Sequence, residues 1–251
     1  MNISEAAFAK YSARLREVRT SASDKILAYI DKFNVEQRII AGRDMKPFID
    51  YAYLVTTKYG EAAGALSAEL YDAIAELSGI SVPPAVMAPT PSYHEIAKTV
   101  NGVRKQSKNP NMMADAIGRQ VKKVGADTML QNAKRDGAQY AWIPQGDTCA
   151  FCIMLASRGW ESSNYEVEHL HANCDCEYCV RFDTRSKVGG YDPDKYKAMY
   201  DSAEGDNYRE KLNSMRREAY AENAEEIREQ KKSAAAIRAA LNGPDAEEIE
   251  I

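Results

Sequence analysis

The chain has 251 residues and is 45% hydrophobic, which is enough for one or two domains with real cores and excludes a disordered tail. Charged residues make up 28% of it, the mean hydropathy is -0.51, and no run approaches the roughly 20 apolar residues that a bilayer span needs. A net charge of -4 and a pI near 5.6 argue against a dedicated nucleic-acid binder, whose domain is usually basic. The opening residues mix acids and bases and lack the apolar stretch of a secretory signal, so a reducing cytoplasm is the expected compartment.

In chain order, Phe8, Tyr11, Leu15 and Val18 recur at helical spacing, and Ile26, Tyr29, Ile30 and Phe33 continue the stripe. This predicts a long first helix with that stripe buried. A second long helix is expected from Pro47, a residue tolerated in a first turn. It runs through Leu54, Leu66, Leu70, Ile74 and Leu77 and stops at Gly79. Pro83, Pro84, Pro89 and Pro91 then mark a hinge. Ser92 and Glu95 form a capping-box pattern that opens a third helix reaching about Lys108. A fourth, from about Met112 to Lys134, has Met113, Ile117, Val121, Val124, Met129 and Leu130 as its buried positions. The basic residues of this region, Lys98, Arg104, Lys105, Lys108, Arg119, Lys122 and Lys123, read as a solvated helix face, with contact to phosphate as the alternative.

The texture changes at Tyr140. Both tryptophans, all five cysteines and two of the three histidines lie between there and residue 182, implying a small module held by something other than a large core. Gly189 and Gly190 read as a turn. Asp192 and Pro193 open a short helix, and a longer, heavily charged one is expected from about Asn207 to Leu241, before an acidic remnant. The expected organisation is an N-terminal long-helix region (1–82), a proline-rich hinge (83–91), a helical connector (92–139), a zinc-binding module (140–190) and C-terminal helices with the acidic tail (191–251). The expected fold class is mainly α with a small α+β zinc-stapled module, an elongated helical N-terminal region and a C-terminal helix.

Cys149 and Cys152 form a Cys-x-x-Cys turn, which places two thiolates on one side of a metal. His171, Cys174 and Cys176 supply a second knuckle. Zinc takes four ligands in a structural site, and the module offers Cys149, Cys152, His169, His171, Cys174, Cys176 and Cys179. The first choice is Cys149, Cys152 and Cys176, with His171 or Cys174 completing the set and His169 and Cys179 as spares. A site filled by protein ligands leaves no position for water, so it is structural and not catalytic.

The run Gly146-Asp147-Thr148-Cys149-Ala150-Phe151-Cys152, the His171-Ala172-Asn173-Cys174-Asp175-Cys176 knuckle and Gly190-Tyr191-Asp192-Pro193-Asp194 together resemble the MuF-like minor head proteins of tailed phages. The likeness is specific over residues 140–195 and rests on general layout elsewhere. It implies a structural virion protein without enzymatic activity. Such a protein acts in head morphogenesis and sits inside the head near the portal, after assembly in the host cytoplasm. The portal and the major capsid protein are the implied partners, with no membrane and no small-molecule substrate, and nonspecific contact with packaged DNA is compatible with this. Cys179 is extra to the family pattern.

Two rivals use the same residues. In a zinc-stabilised HNH-like nuclease, His169 and His171 beside Asn173 would activate water, but once His171 is given to zinc no second catalytic ligand set remains. His94 lies far off at a helix start. In a zinc DNA-binding module, a recognition helix would begin inside the knuckle, and basic side chains are sparse there: Arg158, Arg181, Arg185 and Lys187.

Overall fold

A two-residue strand, β1 (Asn2–Ile3), leads into the first helix, α1 (Glu5–Lys32), in this computed structural model. Ser4 caps α1 by accepting the Ala7 N–H at 3.1 Å. Phe8, Tyr11, Leu15, Ala22, Ile26 and Ile30 are its buried face. The expected stripe fails at its end, where Phe33 is 44% exposed. Tyr29 stacks on both Phe33 and Tyr51, with centroids 4.2 and 4.3 Å apart, so the aromatics close on one another at the rim of the core. The structure describes residues 2–35, 44–106, 109, 111–146, 148–166, 170 and 174–222.

The second helix, α2 (Lys46–Leu77), begins at the expected proline but buries a different face. Leu54 and Leu77 are 65% and 68% exposed. Of the expected positions Ile74 is buried, and the rest of the buried face is Ala52, Thr56, Gly60, Ala63, Gly64, Ser67 and Ala68, followed by Tyr71. The reason is the depth at which a later helix, α4 (Asn111–Asp136), packs. A methyl on Gly64 would lie 3.4 Å from both Thr128 and Val124, and one on Gly125 would lie 2.9 Å from Ser67 Oγ. Small residues let the two backbones approach, and larger apolar side chains are left outside.

Gly79, at φ +67°, ends α2. The Gly79 N–H bonds to Glu76 O at 2.9 Å and the Ile80 N–H to Ala75 O at 3.0 Å, the double closure of a Schellman motif. The proline-rich segment then runs along α4. Prolines have no N–H, and three of the remaining donors find side-chain acceptors: Ala85 N on Asp72 (2.8 Å), Val86 N on Asn132 (2.9 Å) and Ala88 N on Thr128 (2.9 Å). Arg135 donates back to the carbonyls of Pro83 and Pro84 at 2.8 and 3.1 Å.

Helix α3 (Tyr93–Gln106) opens with the expected capping box: Ser92 N–H donates to Glu95 at 2.8 Å and Glu95 N–H to Ser92 Oγ at 3.3 Å. Residues 107 and 108, where it was expected to end, lie outside the described ones. α4 packs against α1, α2 and α3, and all six of its expected core positions are buried.

Past Gly137, at φ +68°, β2 (Gln139–Ile143) pairs antiparallel with β3 (Glu177–Arg181), Ile143 opposite Glu177. Between them lies the short helix α5 (Ala150–Ala156), packed on β2. β3 lies against α2 and α4. β4 (Lys187–Val188) pairs in parallel with β1, and the Gly189 N–H donates to Ile3 O at 2.9 Å. A side chain at Gly189 would strike the Glu5 backbone, which explains the glycine. The described elements are thus helical apart from two two-stranded sheets, a mainly α fold with a small β component.

The chain divides into two units, 1–197 and 198–251. Helix α6 (Pro193–Ser202) starts at the expected proline. In the second unit α7 (Tyr208–Glu222) follows, with Leu212 and Met215 buried. The continuation expected as far as Leu241 and the acidic remnant fall outside the described residues. No helix of the described residues is long and apolar enough to cross a membrane.

Candidate metal centre

Cys149 is the N-cap of α5, and Cys152 sits one turn in, 1% exposed. Cys174 and Cys176 lie on the extended approach to β3, 9% and 0% exposed. The sulfurs of Cys152, Cys174 and Cys176 all lie within 4.8 Å of one another. Cys152 Sγ is 3.1 Å from Cys174 Sγ, and Cys176 N–H donates to Cys174 Sγ at 3.4 Å. No disulfide joins any of the five cysteines. Thiolates held about 2.3 Å from a tetrahedral zinc stand about 3.8 Å apart; the three sulfurs lie within reach of one ion, but Cys152 and Cys174, at 3.1 Å, would have to part to hold it.

The thiols perturb one another strongly. Hydrogen bonds with Cys149 and then Cys174 push the Cys152 thiol up. Cys174 is pulled the other way, towards thiolate, by its bonds with Cys152 and Cys176 and by the nearby Lys122 charge. Cys176 feels a downward pull from Cys152 as its largest influence, yet Cys174 and burial together push it up to about 12. Such a buried cluster is what a soft cation would relieve, since it replaces shared protons with metal–sulfur bonds.

Of the sequence candidates, Cys152, Cys174 and Cys176 are brought together and Cys149 adjoins them through Cys152. His169 and His171 lie outside the described residues. Cys179 is fully buried on β3, its thiol donating to Val180 O at 3.7 Å, with burial pushing it up to about 12. His94 is exposed in the first turn of α3.

The second knuckle is gripped from behind by the helices. Lys122 Nζ on α4 donates to Cys174 O at 2.6 Å and Cys176 O at 2.8 Å. It also lies 3.5 Å from Glu177 Oε1 and 5.4 Å from the centroid of the Trp142 ring. From α1, Arg19 donates to Cys174 O at 2.7 Å and Asp175 Oδ1 at 2.9 Å, Arg16 pairs with Asp175 at 3.2 Å, and Ser12 Oγ donates to Asp175 O at 2.8 Å. Burial lifts the Glu177 carboxyl to about 7 against the opposing pull of Lys122 and Arg19.

Lys122 corrects the expected solvated basic face, because its side chain is only 3% exposed. Its neighbours on that side of α4, Gly118, Gly125 and Ala126, are small and buried, and that was the available signal. Arg19 and Arg16 carried no signal, since their partners lie far along the chain. Lys98, Arg119 and Lys123 remain outward and line an open groove of about 630 Å³ between α3 and α4.

No curated protein and no solved structure matches the chain significantly. A family model described as VG15 protein matches residues 2–203, a span that includes α1 to α6, both sheets and the whole cysteine cluster but not α7. The chain therefore belongs to the VG15 protein family, a family of phage gene products.

Proposed function

We propose that this chain is a minor structural protein of a phage head, of the MuF-like kind, which acts in head morphogenesis beside the portal and performs no catalysis. The observation that carries the reading is the extent of the family match, which joins the helical bundle and the cysteine knuckles in one phage gene product. The chemistry-bearing side chains support it, because Cys152, Cys174 and Cys176 are buried and spent on holding the fold together. Zinc is the ion that a sulfur-rich tetrahedral site favours, and Cys149, exposed and adjoining Cys152 outside the group of three, would have to move in to close it. With every corner taken by protein, such an ion stabilises and does not activate water.

The partners in this reading are the portal and the major capsid protein. Lys98 and Arg119 offer the surface for nonspecific contact with the phosphates of packaged DNA, Lys123 being paired with Asp127 in the same groove. The chain would lie inside the head, after assembly in the host cytoplasm. Quantitative mass spectrometry of purified procapsids and virions tests this. The expected result is peptides of this chain in few copies relative to the major capsid protein, cross-linked to the portal. Recovery from the infected-cell lysate alone would overturn it.

A further inference from the structure

We infer that Lys122 and Arg19 form a cationic clamp for the metal centre, which holds the Cys174–Cys176 knuckle in ligating shape and offsets the negative charge of its thiolates. The inference rests on the metal reading above. Three successive carbonyls, those of Cys174, Asp175 and Cys176, are all satisfied by side chains of α1 and α4. A knuckle of a metal site ordinarily satisfies its backbone locally, whereas here two cations and a hydroxyl from separate helices do so.

The charge balance explains why cations are used. A divalent ion with the three grouped thiolates carries a net charge of about -1, and of about -2 if the fourth ligand is also a thiolate, and in a buried site that excess needs nearby positive charge. Lys122 and Arg19 both reach Cys174 O, at 2.6 and 2.7 Å, so two cations converge behind one ligand, Lys122 shared with Glu177 and Arg19 with Asp175, to which Arg16 adds a further positive charge. Glu177 and the Trp142 face fix the Lys122 ammonium in place. The two cations are therefore positioning residues: they touch no metal but set the geometry and the field in which the sulfurs bind it. Partners of this kind typically change metal affinity by about 10- to 100-fold when removed.

The test uses the full chain, zinc titrated in competition with a chromogenic chelator, and cobalt as a spectroscopic probe. Lys122→Met is combined with Glu177→Gln so that no carboxylate is left buried alone, and Arg19→Met is made separately because Arg19 lies at the edge of the clamp and its loss is better tolerated. Both variants are expected to hold zinc about 10- to 100-fold more weakly. At saturating zinc they should keep the parent's helical circular dichroism, and with cobalt the thiolate charge-transfer band should shift. Lys25→Met, an exposed position on α1, should change neither. Parent-like zinc affinity and cobalt spectra in a folded Arg19→Met would overturn the clamp while leaving the metal site standing, even if the double variant does not fold. A parent that binds no zinc would overturn the metal reading and the clamp with it.

Discussion

Replacing Gly125 by alanine should destabilise the protein although it lies mid-helix, where alanine is otherwise the better residue. The added methyl would sit 2.9 Å from Ser67 Oγ, 3.4 Å from the Ala63 carbonyl oxygen and 3.7 Å from Leu15 Cδ2. Ser67 cannot swing away freely, because its hydroxyl is 2.9 Å from the buried Tyr11 hydroxyl. Overpacking of this kind costs about 1–3 kcal/mol, against a helix-propensity gain of about 0.5–1 kcal/mol. The net expectation is a loss of up to about 2.5 kcal/mol, or several degrees in Tm at about 2–4 °C per kcal/mol. Gly102 on α3 is the internal control, since a methyl there meets nothing within 4 Å and alanine should stabilise by about 0.5–1 kcal/mol. Thermal unfolding followed by far-ultraviolet circular dichroism, on zinc-saturated protein, reads both. If Gly125→Ala stabilises as much as Gly102→Ala, the close approach of α2 and α4 is wrong. So is the depth at which α4 presents Lys122, one turn away, to the cysteine knuckle.

Two further outcomes follow from the described contacts. Asn132→Ala removes the bonds to both backbone groups of Val86, at 2.8 and 2.9 Å, and should open the 83–91 segment to limited proteolysis at a cost of about 1–3 kcal/mol; an unchanged cleavage pattern would contradict this. Asp136 is held below the usual carboxylate range by Arg135 first and Tyr71 second, outweighing its partial burial. A depressed folded value means its stabilisation is present at neutral pH and lost as pH falls through that value, so Asp136→Asn should be less stable than the parent near pH 7 and converge with it in acid. A constant gap across the whole acid range would refute that assignment.

Much of the helical frame was legible from local chemistry. The Ser92–Glu95 box, the Gly79 stop and the core positions of α4 each follow from short-range rules, and the structure keeps them. The buried face of α2 was misread because large apolar residues were weighed over small ones. Gly60, Gly64 and Ser67 say where another helix approaches only once that helix is known to be there. For the candidate site, clustering along the chain put Cys149, Cys152 and Cys176 first, with Cys174 competing with His171, whereas the structure groups Cys152, Cys174 and Cys176. What spacing could not choose was which knuckle residues meet, because that depends on tertiary packing and not on distance along the chain. The clamp was hidden for the same reason: Arg19 meets Cys174 across most of the chain, and a lysine in a basic run resembles any other until its surroundings are built.

Elemental analysis of protein purified without chelator is the most direct check on the metal centre. About one zinc per chain is expected in the parent and in Cys179→Ala, and essentially none in Cys176→Ser. A parent that is fully folded yet metal-free, or a Cys176→Ser variant that keeps its zinc, would contradict the account.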